Sequence, residues 1–138
     1  MTWSGFYDAI QCRPAVETLR RALTRWSRAP GLALELGCGA GRDTLELLRR
    51  GWRAQAYDAE AEALSRLREQ VPTGDAARLI TGCERFETLQ LPAANLVNSS
   101  FSLPFCAPQH FDSLWQQISS ALAGGGLFAV QFFDERDE

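Results

Sequence analysis

The sequence predicts an α/β fold in which helices cover both faces of a doubly wound parallel sheet, and three observations point to it. A short apolar run, Leu32–Leu36, is typical of a buried strand. Gly37, Gly39 and Gly41 follow this run, and a helical pattern begins at Thr44. Strand-like and helix-like segments then alternate along the chain, which is typical of βαβ units. We expect the strand order 3-2-1-4-5.

The 138 residues are expected to form one domain, because a chain of this length buries a single core. Residues 1–30 are predicted to form two amphipathic helices, and residues 31–138 the sheet with its helices. The first helix is indicated by the apolar spacing of Trp3, Phe6, Tyr7 and Ile10. The second helix begins after Pro14, since proline suits the first turn of a helix.

The later elements follow from periodicity and from glycine and proline positions. The predicted strands after the first are Trp52–Asp58, Ala77–Thr81, Ala94–Ser100 and Leu127–Phe133. The predicted helices are Thr44–Arg50, Ala59–Gln70 and one that spans Phe111–Leu122. Gly51 is expected to end the first of these helices. Gly124–Gly126 is expected to form a turn before the fifth strand.

The composition argues against several classes of function. The formal net charge of −3 gives no overall field that attracts nucleic acid or an anionic membrane. No apolar run approaches the roughly 20 residues that a membrane span needs, and the N-terminus does not resemble a signal peptide. The four cysteines include no C-x-x-C pair and there is one histidine, so no metal site is expected. We therefore expect a cytoplasmic protein.

The spacing of the glycines separates two interpretations of the turn after the first strand. A dinucleotide fingerprint has the form G-x-G-x-x-G, and Arg42 stands where its third glycine belongs. A nicotinamide-dependent oxidoreductase is therefore the disfavoured alternative. The pattern that remains is an acid followed by alternate glycines, Glu35-x-Gly37-x-Gly39-x-Gly41. Cys38, within this turn, is interpreted as a small residue that lines a pocket.

Two residues outside the turn have more than one interpretation. Asp58 ends the second predicted strand, where a carboxylate can accept both ribose hydroxyls of a nucleoside. The same residue type is favoured as the N-cap of the next helix, and the two roles are compatible. Phe86 lies in the loop after the third strand, where it would either stack on an adenine or anchor the loop to the core.

The chain from Trp3 to Phe133 resembles the class I methyltransferases that use S-adenosylmethionine (SAM). It looks most like their small bacterial branch and is loosely similar to tellurite-resistance methyltransferases. The residues that carry the resemblance are Glu35–Asp43, Tyr57–Asp58, Leu96–Ser100, Leu103–Phe105 and Gly124–Gly126. The resemblance implies a Rossmann-like fold, SAM as cofactor and methyl transfer to a small-molecule acceptor.

The resemblance also implies individual roles at the cofactor site. Gly37 and Gly39 would hold the methionine end of SAM, and Glu35 would order its amino group. Asp58 would bind the ribose, and Asn98 would line the methyl-transfer face as the one candidate catalytic residue. Tyr7 and Arg13 would close over the methionine carboxylate. The full set of predicted cofactor-binding residues is Glu35, Gly37, Cys38, Gly39, Asp58, Ala59, Arg85, Phe86 and Asn98.

The sequence departs from the family pattern after the fifth strand, where members continue with a helix and two further strands. Without strands six and seven, the apolar fifth strand, Leu127–Phe133, would be an open edge of the sheet. We expect a second copy of the chain to cover this edge in a homodimer. The alternative function is a SAM-binding or interaction domain that does not itself catalyse methyl transfer.

Overall fold

The computed structural model describes Gly5, residues 14–39 and 41–100, Leu103 and residues 106–131. The described strands form one parallel five-stranded sheet in the order β3-β2-β1-β4-β5, which confirms the predicted order. The strands are β1 (Leu32–Leu36), β2 (Arg53–Asp58), β3 (Leu79–Cys83), β4 (Ala94–Ser100) and β5 (Leu122–Gln131). The helices are α1 (Glu17–Arg25), α2 (Arg42–Arg49), α3 (Ala61–Gln70) and α4 (Pro108–Ala121).

Helices cover both faces of this sheet, because successive side chains of each strand point to opposite faces. On one face Ala33 of β1 packs with Leu19 of α1 and Leu47 of α2. On the other face Leu34 packs with Leu114 of α4. The central strand is therefore buried on both sides, as parallel sheets require.

The helix α2 begins directly after the glycine turn and ends where the sequence predicts. Gly51 follows the last residues of α2 with φ of +92°, a conformation that glycine adopts at little cost. Its N–H donates to the Leu48 carbonyl at 3.0 Å, and the Trp52 N–H donates to the Leu47 carbonyl at 3.0 Å. These bonds satisfy the last carbonyls of α2 and turn the chain into β2.

The third strand begins later than the sequence analysis predicts. Residues Thr73–Arg78 form a 3₁₀-helix, and β3 spans Leu79–Cys83 instead of Ala77–Thr81. The guanidinium of Arg78 explains the difference, since it pairs with the Asp75 carboxylate within the same turn. This local contact holds Ala77 and Arg78 in the turn.

The fifth strand also differs from its predicted bounds, because the glycines lie within it. Ala94 pairs with Leu122 and Leu96 pairs with Leu127, so three extra residues of β5 are accommodated between the two pairs. Gly125 lies in this irregular part with φ of +83°. Regular pairing starts at Leu127, which is where the sequence predicts the strand. The last two residues of the predicted strand lie outside the described residues.

The N-terminal helices are described only in part. The second predicted helix is present as α1, whose buried residues Leu19 and Leu23 contact the face of the sheet that includes Ala33. Of the first predicted helix only Gly5 is described, and it is helical, whereas the apolar stripe of Trp3, Phe6, Tyr7 and Ile10 lies outside the described residues.

Candidate cofactor-binding site

The glycine turn after β1 lies at the carboxyl end of the sheet, where open α/β sheets bind their ligands. Gly37, Gly39 and Gly41 have φ angles of +74°, +55° and +93°, which non-glycine residues rarely adopt. The N–H groups of Gly37 and Cys38 both donate to the Tyr57 carbonyl, at 2.9 and 3.0 Å. The turn is therefore tied to the end of β2.

A side chain on Gly41 would also clash with the next helix. A Cβ atom there would lie 2.4 Å from the Leu67 Cδ1 atom of α3. Gly41 thus lets α2 and α3 approach closely.

The side chain of Asp58 lies beside this turn, at the end of β2. One carboxylate oxygen accepts the Gly39 N–H at 3.0 Å, and the other accepts the Glu60 N–H at 2.9 Å. The second bond forms a turn before α3, whose N-cap residue is Glu60, so Asp58 is not the N-cap that the alternative interpretation expects. Each carboxylate oxygen accepts about two hydrogen bonds, so both retain capacity for a ribose hydroxyl.

Beneath the turn, Glu35 of β1 and Asn98 of β4 are register partners and are each 1% exposed. The Asn98 Nδ2 atom lies 2.8 and 3.0 Å from the two carboxylate oxygens of Glu35. The same nitrogen lies 3.0 Å from the Oδ2 atom of Asp43. The amide group of Asn98 therefore bridges two buried carboxylates.

Asp43 in the first turn of α2 has further donors. Its Oδ1 atom accepts the Val16 N–H at 2.8 Å, and its Oδ2 atom accepts the Ser100 hydroxyl at 2.6 Å. Asp43 thus joins the start of α1 to α2 and β4. The sequence motif contains Asp43, but its partners are distant in sequence, so sequence reasoning did not assign it a role.

Glu35 and Cys38 both have raised pKa values because they are buried. Burial is the main cause for Glu35, and the nearby Asp43 carboxylate raises this pKa further. Burial and the carboxylates of Asp58 and Glu35 raise the pKa of the Cys38 thiol. Cys38 is therefore a neutral thiol, packed with Ala56 and Leu67.

The remaining predicted residues lie at the edge of the site. Ala59 and Arg85 are exposed, and Arg85 precedes the short 3₁₀-helix Phe86–Thr88. Phe86 is half-buried and packs against the core cluster that includes Leu34 and Leu36. The structure thus places Phe86 as a loop anchor and leaves part of its side chain accessible. Tyr7 and Arg13 lie outside the described residues.

One buried polar atom has no hydrogen-bond partner. The Thr44 hydroxyl, in the first turn of α2, is fully buried and unpaired within the part of the chain that the structure describes. It directly follows Asp43 in sequence. The described residues contain no group of three potential metal ligands and no helix long and apolar enough to cross a bilayer.

The donor set fits SAM. Gly37 and Gly39 offer backbone free of side chains, and Glu35 offers a buried carboxylate that forms no ion pair within the described residues. A negative group of this kind suits a cofactor with ammonium and sulfonium charges. Asp58 offers two carboxylate oxygens with remaining acceptor capacity.

Comparison with known proteins agrees with this geometry. Residues 33–126 match the family model described as "Methyltransferase domain". The chain is 30% identical over 134 residues to trans-aconitate 2-methyltransferase of Paracidovorax citrulli. This alignment covers 96% of this chain and 49% of that protein. The chain spans about half the length of the curated trans-aconitate methyltransferases that it matches.

Solved structures share the fold. TehB from Haemophilus influenzae superposes with a TM-score of 0.76 and 19% identity over 91% of this chain and 43% of that chain. The glycopeptide N-methyltransferase MtfA complexed with S-adenosylhomocysteine superposes with a TM-score of 0.71 and 23% identity. The match covers 85% of this chain and 52% of that chain. The family model and the relative that is 30% identical confirm the family that the sequence resembles, and the cofactor of this family is SAM. The chain belongs to the class I SAM-dependent methyltransferases.

Proposed function

We propose that this chain binds SAM around the glycine turn and transfers its methyl group to a small-molecule acceptor. The observation that carries the proposal is the glycine turn Gly37–Gly39, which follows the strand that holds Glu35, a buried carboxyl group without an ion pair in the described residues. The turn lets a ligand approach the backbone, and the carboxylate attracts a positive charge. The name of the trans-aconitate methyltransferase relative supports a small-molecule acceptor.

The predicted residues that follow β2 and β3 have proposed parts in cofactor binding. The carboxylate of Asp58 accepts the ribose hydroxyls, with Ala59 beside it. Phe86 presents its accessible part to the adenine, and the exposed Arg85 lies on the same loop. We propose that residues 1–138 act together as one cofactor-binding domain.

The chemistry asks little of the side chains. SAM supplies an activated methyl group on a positively charged sulfur. The residues of this chain have to place the acceptor in line with that group, and positioning alone lowers such barriers by several kcal/mol, roughly 7–11 in the best cases. Asn98 lies at the β4 register position beside Glu35, and its fixed amide group makes it a positioning group for the methyl-transfer face.

Calorimetric titration with S-adenosylhomocysteine tests the cofactor site. We expect saturable binding that weakens by about tenfold or more in Asp58→Asn, because charge-assisted hydrogen bonds contribute roughly 1.5–3 kcal/mol. The exposed helix residue Asp112 provides the control, and Asp112→Asn should bind as the parent does. Thermal melting of both variants separates lost affinity from lost folding. A folded parent protein that does not bind the ligand contradicts the proposal.

A cofactor-binding domain without its own catalysis is the second candidate function. It is considered because the residues that carry the proposal, Gly37–Gly39, Glu35 and Asp58, all serve the cofactor and none of them is assigned to an acceptor. Incubation with methyl-labelled SAM and a panel of small carboxylic acids, amines and thiols distinguishes the two. Label transferred to any acceptor supports catalysis, whereas binding without transfer supports the second candidate.

The proposed partner is a second copy of the chain, docked on the open edge at β5. Within the described residues no strand pairs with the outer side of β5, and Phe128 lies beside Trp115, which is 44% exposed. Light scattering after size exclusion tests this, and a monomer at all concentrations contradicts it. We propose a cytoplasmic location without nucleic-acid partners, supported by the free thiols of Cys38, Cys83 and Cys106 and by the negative net charge.

A further inference from the structure

We propose that Asp43 is a positioning residue of the cofactor site. Its carboxylate fixes the orientation of the Asn98 amide, and this amide holds the Glu35 carboxylate in place to receive a positively charged group of the cofactor. The inference rests on the proposed cofactor binding at the glycine turn, and it adds a residue that the sequence motif alone does not assign a role.

The orientation of Asn98 follows from its two neighbours. Its NH₂ group has two hydrogens, one for the Glu35 carboxylate and one for the Asp43 carboxylate. A flipped amide would place the Asn98 oxygen against two carboxylates, which is electrostatically unfavourable. Removing either carboxylate would therefore remove one of the two acceptors that fix the observed orientation of the Asn98 amide.

The Asp43 carboxylate is itself held by three donors, one at the start of α1 and two on β4. The Val16 N–H at the start of α1 donates to one oxygen, and the Ser100 hydroxyl of β4 donates to the other. With the amide of Asn98, the carboxylate accepts three hydrogen bonds while it is 3% exposed. These three donors fix the position of the Asp43 carboxylate.

Glu35 has no such supply of donors. Its only hydrogen-bond donor in the described residues is the Asn98 amide, and no arginine forms an ion pair with it there. A buried carboxylate without a counter-charge is costly in its ionised form. A cationic group of the ligand would supply the missing charge.

The binding of that cation should therefore release a proton from Glu35. Within the part of the chain that the structure describes, the charged groups that act on Glu35 are Asp43 and Arg42 on α2, and the neutral thiol of Cys38 lies near it in the turn. Its register partners Ala56 on β2 and Asn98 on β4 carry no charge. Burial and Asp43 raise the pKa of Glu35, so affinity for a cation should increase with pH until Glu35 is ionised.

Titration with S-adenosylhomocysteine between pH 5 and pH 8 measures this coupling. This ligand keeps the ammonium group, whereas 5′-methylthioadenosine lacks the amino-acid moiety and is neutral. For the homocysteine ligand we expect affinity to rise by up to about tenfold per pH unit below the midpoint. For the neutral ligand we expect no such rise. Glu35→Gln should remove the pH dependence of binding.

The midpoint of the pH dependence of affinity, which is the pH where half of Glu35 is ionised, distinguishes the proposed role of Asp43 from a general effect on folding. Asp43→Asn removes a negative charge beside Glu35, so the midpoint should move to lower pH while the affinity at high pH becomes weaker. A variant that only disturbs folding would weaken binding at every pH and leave the midpoint unchanged. Asp112→Asn, at an exposed position, is the control and should keep both the midpoint pH and the affinity at high pH.

Different outcomes test the two proposals separately. A ligand that binds with the same affinity at every pH overturns the role of Glu35, and an unchanged midpoint in Asp43→Asn overturns that of Asp43. Calorimetry of the parent protein in two buffers of different ionisation enthalpy gives the number of protons released on binding, so this test needs no variant. A release of zero protons overturns the coupling between ligand binding and Glu35. Absence of binding at any pH overturns the proposed function itself.

Discussion

At the scale of single residues, Gly31 is required because of its neighbour and not because of its backbone conformation. A Cβ atom on Gly31 would lie 2.0 Å from the Asn95 Oδ1 atom, which accepts the Leu32 N–H at 3.0 Å. Gly31→Ala should therefore displace Asn95 and lower the free energy of unfolding by about 1–3 kcal/mol. Urea denaturation measures the change.

Gly74 provides the matched control for this substitution. No atom lies within 4 Å of the position that its Cβ would occupy. Gly74→Ala should therefore change the free energy of unfolding by no more than about 0.5 kcal/mol. Equal losses in both variants would show that the contact with Asn95 is not the cause.

The ionisation of Glu35 predicts a pH dependence of stability for the ligand-free protein. Its pKa is raised in the folded state, so the folded protein binds more protons than the unfolded chain between the unfolded and folded pKa values. This contribution to stability is fully present below the unfolded value of about 4.5 and is lost as pH rises through the folded value. Each unit of raised pKa corresponds to about 1.4 kcal/mol.

Glu35→Gln isolates this contribution, because glutamine cannot ionise and keeps a similar shape. The stability difference between the variant and the parent should favour the variant increasingly as pH rises from about 4.5. Denaturant melts at a series of pH values measure it. A difference that stays constant with pH would mean that Glu35 ionises in the folded protein as it does in water.

The residues that sequence reasoning identified were those with local signals. Glu35 and Asp58 follow from their spacing to the glycines, because a strand, a turn and a register fix where each one lies. Asp43 and Ser100 carry no local signal for their contact, since they are 57 residues apart in sequence. Their hydrogen bond depends on how α2 packs on the sheet, which only the structure shows.

At the scale of the elements, the side chain of Arg78 joins three of them. Its Nη1 atom donates to the Leu48 carbonyl of α2 at 3.0 Å and to the Trp52 carbonyl before β2 at 2.8 Å. Its second terminal nitrogen, Nη2, pairs with the Asp75 carboxylate in the 3₁₀-helix. Lysine cannot make these contacts in one geometry. Arg78→Lys should therefore cost about 1–2 kcal/mol in unfolding free energy.

The control for this prediction is Arg53, an exposed arginine at the start of β2. Arg53→Lys should change stability by no more than about 0.5 kcal/mol, because it keeps the charge on an exposed side chain. Thermal and urea denaturation of the two variants give the comparison. If both substitutions cost the same, the contacts of Arg78 do not stabilise the fold.

Sequence reasoning placed β4 correctly, because its apolar residues belong to the buried centre of the sheet. The strand β4 has the predicted bounds, Ala94–Ser100, because it is buried and nearly continuous in apolar character at its start. The start of β3 was predicted two residues early, because Ala77 and Arg78 continue the apolar–polar alternation of a strand. In the structure the ion pair between Arg78 and Asp75 lies within a 3₁₀-helix that includes both residues. Local propensity could not anticipate that contact.

At the scale of the whole molecule, the sheet has a protected centre and two different edges. The central strand β1 has neighbours on both sides, and four of its five residues are buried. Among the described strands the edge strand β3 has one neighbour, and its Ile80 is 61% exposed. The other edge, β5, is the proposed contact between two copies.

Hydrogen exchange of the backbone amides should follow this arrangement. We expect the amides of β1 and β4 to exchange only with global unfolding, and those of β3 to exchange through smaller openings, because edge strands separate at lower cost. If two copies pair along β5, its amides should become slower as the protein concentration rises, while those of β3 stay fast. Fast exchange in β5 at every concentration would contradict the dimer, and equal protection of β1 and β3 would contradict the proposed order of opening.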